Sequence, residues 1–203
     1  MTSPSGALRS DHGVRRWIPY VAAAVAFLFT LGVAGAAAGD YAARNLEMQT
    51  LLTRIEASEA AMTDFQTQFG TIAAQFSSSE ALSVQQRDAL DAQLKDLSAR
   101  SRDAIAEAGA GVEAVRWLAW HQEVGRAQAA YVAHNRAWQA YLDRASKDPA
   151  EFGTPQDEVN TTFENAQVPI EDAVPAGDPF GLMERVDAIF APPADSSGGG
   201  QQA

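Results

Sequence analysis

A stretch without a single charged residue, IPYVAAAVAFLFTLGVAGAAA from Ile18 to Ala38, limits this chain more than any other feature. As an α-helix it is roughly 31 Å long at 1.5 Å per residue, enough for a hydrocarbon core of about 30 Å. The sequence therefore predicts one membrane-spanning helix. A cleaved export signal is the alternative, because Ala36 and Ala38 form an A-x-A pattern before Gly39 and Asp40. The apolar stretch, however, exceeds a signal's ~7–15 residues, and an apolar repeat starts directly behind it. Arg15-Arg16 only partly matches a twin-arginine signal. Arg9, Arg15 and Arg16 precede the stretch while Asp40, Arg44 and Glu47 follow it, which predicts a cytoplasmic N-terminus and an extracytoplasmic C-terminal part.

The charge balance reinforces that division. The whole chain carries -11, and the segment up to Gly39 (three Arg, one Asp) carries +2, which leaves -13 for residues 40–203. So acidic a surface repels nucleic acid and anionic lipid, and no nucleic-acid partner is expected. Cysteine is absent, so disulfides, thiol chemistry and iron–sulfur ligation are excluded. Alanine makes up about a fifth of the chain and arginine far outnumbers the two lysines, Lys95 and Lys147, a composition expected of a GC-rich bacterial genome.

Beyond the apolar stretch, Tyr41, Arg44, Met48, Leu51, Ile55, Ser58, Met62, Phe65, Phe69, Ile72 and Phe76 alternate in steps of three and four, a coiled-coil-like seam broken only by Arg44 and Ser58. No proline separates this helix from the predicted span. A second helix is predicted from about Val84 to Ala108, with Ser83 and Gln86 as a capping box and a stripe of Leu90, Leu94, Leu97, Ser101, Ala104 or Ile105, and Ala108. Asp91 with Lys95 and Asp96 with Arg100 are i,i+4 pairs on its outer face. Gly109-Ala110-Gly111 reads as a tight turn, with a continuous helix as the alternative. A third stripe follows in strict alternation: Trp117, Trp120, Val124, Ala127, Tyr131, His134, Trp138, Tyr141 and Ala145, ended by Asp148-Pro149. Thr154-Pro155 starts a short helix with Val159, Phe163 and Ala166 on one face. Pro169, Pro175 and Pro179 are expected to hold an extended stretch, and Asp178-Pro179 opens a last helix that Pro192-Pro193 stops.

The fold class expected is all-α: one N-terminal transmembrane helix, an extracytoplasmic three-helix antiparallel bundle, and a Pro-rich C-terminal arm with two short helices. By segment this gives a disordered arm at 1–14, the span at 15–39, the bundle at 40–147, the arm at 148–192 and a disordered tail at 193–203.

Chemistry-bearing constellations are few. Trp117, Trp120, Tyr131, Trp138 and Tyr141 could line a pocket or interface, but their seam spacing is that of a packed core. His12, His121 and His134 are too far apart to share a metal on one helix. Asp157-Glu158 and Glu171-Asp172 lack a calcium-loop pattern and read as solvated acids. No G-x-S-x-G, H-E-x-x-H, phosphate-loop or dinucleotide glycine pattern is present, so no catalytic residue, metal ligand or cofactor is expected. Gly35 and Gly39 form a G-x-x-x-G through which a second transmembrane helix can approach. Leu182, Val186, Ile189 and Phe190 give the last helix an apolar face that can seat on a partner or fold back on the chain.

These features point to a non-catalytic, membrane-anchored accessory or scaffold subunit of a bacterial plasma-membrane complex, with protein partners or further copies of itself. The alternative is an anchored or secreted helical module that holds an apolar ligand such as lipid through the aromatics of the third helix.

Overall fold

The computed structural model describes residues 14–77 and 83–191, and every regular element among them is helical. They are α1 Val14–Ser77, α2 Val84–Glu113, α3 Gln122–Lys147, a 3-10 turn at Pro149–Gly153, α4 Asp157–Ala173 and α5 Leu182–Phe190. The arm before residue 14, the serines at 78 and 79, and the tail after residue 191 lie outside the described residues. The chain divides into two units after Ala43, inside α1.

In the first unit α1 is long and apolar enough to cross a membrane, and every described residue from Tyr20 to Ala42 is exposed. Tyr20, Phe27, Leu28 and Phe29 are among its most exposed side chains. Thr30 hides its hydroxyl by donating to the Ala26 carbonyl one turn back, at 2.8 Å.

The second unit folds around the seam of α1. Met48, Leu51, Ile55, Ser58, Met62 and Phe65 are buried as the 3-4 spacing predicts, and Phe69, Ile72 and Phe76 are half-buried. α3 presents its stripe from Val124 to Ala145 with every position buried. Two apolar clusters result. One joins Met48, Leu51, Leu52 and Ile55 to Val112, Val124, Ala127, Tyr131, Ala166 and Ile170. The other joins Met62 and Phe65 to Leu97, Ile105, Trp138, Tyr141, Leu142 and Val159. Leu182 and Val186 belong to the first cluster and Ile189 and Phe190 pack on it, so the last helix folds back on the chain.

Polar seam residues have local duties. Arg44, one of the two breaks in the stripe, donates from Nε to the Ala173 carbonyl at 3.1 Å and from Nη2 to the Asp172 carbonyl at 3.0 Å, satisfying the last carbonyls of α4. Arg185 grips Glu56 with both arms, Nε to Oε1 at 2.7 Å and Nη2 to Oε2 at 2.8 Å, which fixes α5 on α1. Asp178, with a positive φ of 25°, accepts from the backbone N–H groups of Leu182 and Met183 at 2.7 and 2.8 Å and so caps α5. The Met183 N–H, with that of Leu182, holds its carboxyl below the usual range.

Three boundaries differ from the sequence reading. α2 does not turn at Gly109-Ala110-Gly111 but runs on to Glu113, and Gly109 lies against α3, where a Cβ would meet Asn135 Nδ2 at 3.2 Å. Its glycine is needed for approach, not for a turn. The connection falls instead at residues 114–121, so Trp117 and Trp120 leave the third stripe and α3 begins at Gln122. Gln128 of α3 closes that connection, its Nε2 donating to the carbonyls of Val112 (2.8 Å), Glu113 (3.2 Å) and Val115 (3.0 Å) while its Oε1 accepts from Trp117 Nε1 at 3.0 Å. From the α1 side, Glu47 accepts the Leu118 N–H at 2.8 Å and faces His121 Nδ1 at 2.6 Å. Finally, α4 continues through Pro169 to Ala173 in place of the expected extended stretch. Ala166, Ile170 and Ala173 are fully buried on one face, and that burial outweighs the one N–H that proline lacks.

The two glycines of α2 should respond in opposite directions. Gly109→Leu is expected to destabilise the fold by about 1–3 kcal/mol through the clash with Asn135. At Gly111, where an added Cβ makes only ordinary contact with Arg54 at 3.5 Å, Gly111→Ala should add about 0.5–1 kcal/mol. Urea midpoints of the two variants against the unaltered chain measure both.

Candidate functional site

Between the two apolar clusters runs a polar layer drawn from α1 and α3. Ser58, the second break in the α1 seam, donates from Oγ to Asn135 Oδ1 at 2.7 Å, with both residues buried. One residue on, Glu59 accepts the Tyr131 hydroxyl at Oε1 across 2.6 Å. His134, one turn beyond Tyr131, brings its Nε2 to 4.0 Å from the same oxygen. Among the described residues no Lys or Arg pairs with Glu59.

Glu59 and His134 edge a cavity of about 260 Å³ between α1, α3 and α4, lined also by Met62, Thr63, Gln66, Trp138, Val159, Asn160 and Phe163. The spacing explains the convergence: Glu59, Met62, Thr63 and Gln66 fall at i, i+3, i+4 and i+7 of α1, and His134 and Trp138 at i, i+4 of α3. Phe163 packs on the His134 ring at 5.0 Å between centroids and on Phe190 at 4.7 Å.

The His134 ring can be given a tautomer. Its Nδ1 lies 3.3 Å from Thr162 Oγ1, and the single proton of that hydroxyl has a nearer acceptor in the carbonyl of Glu158 at 2.8 Å or of Val159 at 2.9 Å. Nδ1 therefore meets an acceptor and carries the hydrogen, and Nε2 turns a lone pair toward Glu59. Burial lowers the imidazole pKa from 6.5 to about 4, against the opposing effect of a hydrogen bond to the Val159 carbonyl. Burial also raises the Glu59 carboxyl, partly countered by the Tyr131 hydroxyl, and raises the Tyr131 phenol together with the neighbouring Glu59 charge. At neutral pH the site thus offers a neutral imidazole, a neutral phenol and a desolvated carboxyl group.

The residues singled out from sequence are distributed unevenly about this site. Trp138 lines the cavity, and Tyr131 lies behind it with its hydroxyl on Glu59. Tyr141 stacks edge-on behind Trp138 at 5.9 Å and accepts from Gln156 Nε2 at 2.9 Å. Trp117 and Trp120 are elsewhere, in the α2–α3 connection. The Trp117 ring lies against Gly125, where a Cβ would come within 2.4 Å of it, and Trp120 is 65% exposed. Gly35 and Gly39 lie on the exposed apolar part of α1, with nothing within 4 Å of an added Cβ. His134 is 2% exposed, as expected for a core histidine, and His121 faces Glu47; His12 lies outside the described residues. No cluster of three or more His, Asp or Glu that could hold a metal occurs among the described residues. Glu59 is the residue that sequence reasoning missed. Its signal was the coincidence of two polar breaks, Ser58 in one seam and His134 in the other, which marks where a polar layer crosses the core.

Comparison of the chain with protein-family models, with curated proteins and with solved structures found no match in any of the three.

The histidine makes stability depend on pH. The unfolded chain binds a proton near 6.5 but the folded one not until about 4, so stability present above 6.5 is lost as pH falls through that window, by at most about 3 kcal/mol. Glu59 acts in the opposite sense: its raised pKa adds stability as pH falls through it. Urea midpoints should therefore drop between pH 7 and 4.5, and His134→Gln should flatten the drop. Identical pH profiles for the two proteins would mean that His134 titrates as a solvent-exposed imidazole.

Proposed function

We propose that this chain is a non-catalytic, single-pass membrane-anchored accessory or scaffold subunit of a bacterial plasma-membrane complex. In this reading the apolar part of α1 spans the bilayer with its N-terminus in the cytoplasm. The unit from Arg44 onward is an extracytoplasmic helical bundle with α1, α2 and α3 as its antiparallel core, and its partners are contacted through the span and the bundle surface. The observation that carries the reading is the uncovered state of the apolar run: from Tyr20 to Ala42 no described residue is buried, although α1 contains an 18-residue stretch with a mean hydropathy of 2.2, none of it buried. A surface of that kind needs lipid or another protein around it.

Two further features support it. The second unit builds its own core without using the apolar run, and Gly35 and Gly39 form a small-residue face whose own chain leaves it open. The ligand-binding alternative is supported by a narrower set of residues than the five aromatics of the third stripe, since Trp138 is the one of them that lines the cavity between α1, α3 and α4.

A C-terminally tagged chain purified from native membranes in mild detergent tests the proposal. A full-length bait with a constant set of stoichiometric partners is the expected result; a bait shortened near Ala38 and recovered alone would overturn it. Gly35→Leu with Gly39→Leu should reduce partner recovery several-fold while leaving the thermal midpoint of the second unit unchanged, because both positions are exposed and an added Cβ meets nothing within 4 Å in its own chain.

A further inference from the structure

We propose that the cavity between α1, α3 and α4 is a binding site for a small primary alkylammonium ion, seated between the Glu59 carboxylate and the His134 Nε2 lone pair with its alkyl part on Trp138, Met62 and Phe163. The inference is independent of how the chain is anchored.

The acceptors argue for it first. Glu59 Oε1 takes a hydrogen bond from the Tyr131 hydroxyl at 2.6 Å, and the Glu59 side chain lines the cavity. His134 is held by Thr162 so that Nε2 faces the cavity as a second acceptor, 4.0 Å from Oε1. Two acceptors too far apart to bond each other, with no Lys or Arg between them, are complementary to a group that has several N–H donors and a positive charge. Glu59 stands at the edge of the cavity with its side chain 25% exposed, and no Lys or Arg among the described residues pairs with it, so its charge is available to a cationic group.

The walls specify the rest of the ligand. Trp138 and Phe163 present aromatic surface to the cavity, and such rings attract a cation through their quadrupole. Met62 and Val159 complete an apolar floor for a short hydrocarbon chain. At about 260 Å³ the space is smaller than the ~300–1,000 Å³ of drug-sized pockets, so it suits a head group or a small amine. A metal ion is a poorer match, because Glu59 is the sole carboxylate lining the cavity. An anion would face the Glu59 charge.

Calorimetry on the full-length protein in maltoside detergent at neutral pH tests the site, with propylammonium chloride as the probe. One equivalent should bind saturably. The unaltered protein alone supplies two controls: n-propanol, the neutral isostere, should not bind, and tetramethylammonium, a cation without N–H groups, should bind at least about tenfold more weakly. Glu59→Gln, which keeps the shape and an acceptor for Tyr131, should lower propylammonium affinity by at least about tenfold, and Phe163→Leu by less. Glu123→Gln, an exposed change on α3, should leave it unaltered. Absence of saturable binding, equal binding of n-propanol or tetramethylammonium, or unchanged affinity in folded Glu59→Gln would each overturn the proposal. Nanodiscs identify the source of the amine: competition by phosphatidylethanolamine but not by phosphatidylglycerol assigns the site to a lipid head group, and competition by neither assigns it to a free amine.

Discussion

Contact between the α1 seam and the α3 stripe is the interaction on which the folded unit depends. Nearly every buried large side chain of the unit either belongs to these two faces or lies against them, and α2, α4 and α5 are positioned by what the two faces leave uncovered. The chain has no cysteine, so non-covalent contacts alone hold this arrangement: packing, the polar pairs between helices and the caps at helix ends. Those caps come from a distance: Arg44 closes the end of α4 and Glu47 holds the approach to α3, so α1 gives polar as well as apolar support to elements far along the sequence.

The seam is not uniformly apolar, and its interruption is the more informative part. Two clean hydrophobic stripes can slide by a heptad and bury nearly the same area. Ser58 paired with Asn135, and Glu59 with Tyr131, make a slipped register costly, because each shift would bury these groups without partners. The same layer that fixes the register leaves the Glu59 side chain and one imidazole nitrogen facing the cavity. Structural specification and a potential site thus use the same residues.

Periodicity made the helices legible. The stripes from Met48 to Phe65, from Leu90 to Ile105 and from Val124 to Ala145 are buried where their spacing placed them, and Ser83 with Gln86 forms the capping box its sequence announces. What could not be read locally was decided by partners far along the chain. Gly109 resembles a turn until Asn135 is known to lie beside it. Trp117 and Trp120 continue the arithmetic of the third stripe, yet they sit in a connection held by the Gln128 amide, which donates to its carbonyls, and by Glu47, which accepts the Leu118 N–H. Pro169 signals a break that the burial of Ile170 overrides. The site was hidden for the same reason: Glu59 looks like any exposed glutamate of a helix until α3 and α4 are placed around it.

Gln128 has a consequence for the order in which this chain takes shape. The two N–H groups of its amide are shared among the carbonyls of Val112 and Glu113 at the end of α2 and of Val115 just beyond it, and its oxygen holds Trp117, although it belongs to the next helix. The end of α2 is therefore complete only when the first turns of α3 exist, and the loop between them is short enough to close on a scale of about 10–100 ns. The hairpin of α2 and α3 is thus a piece of structure whose geometry is stored locally. Newly made chain reaching it from either side, α1 already synthesised and α4 still to come, meets a template instead of two independent helices.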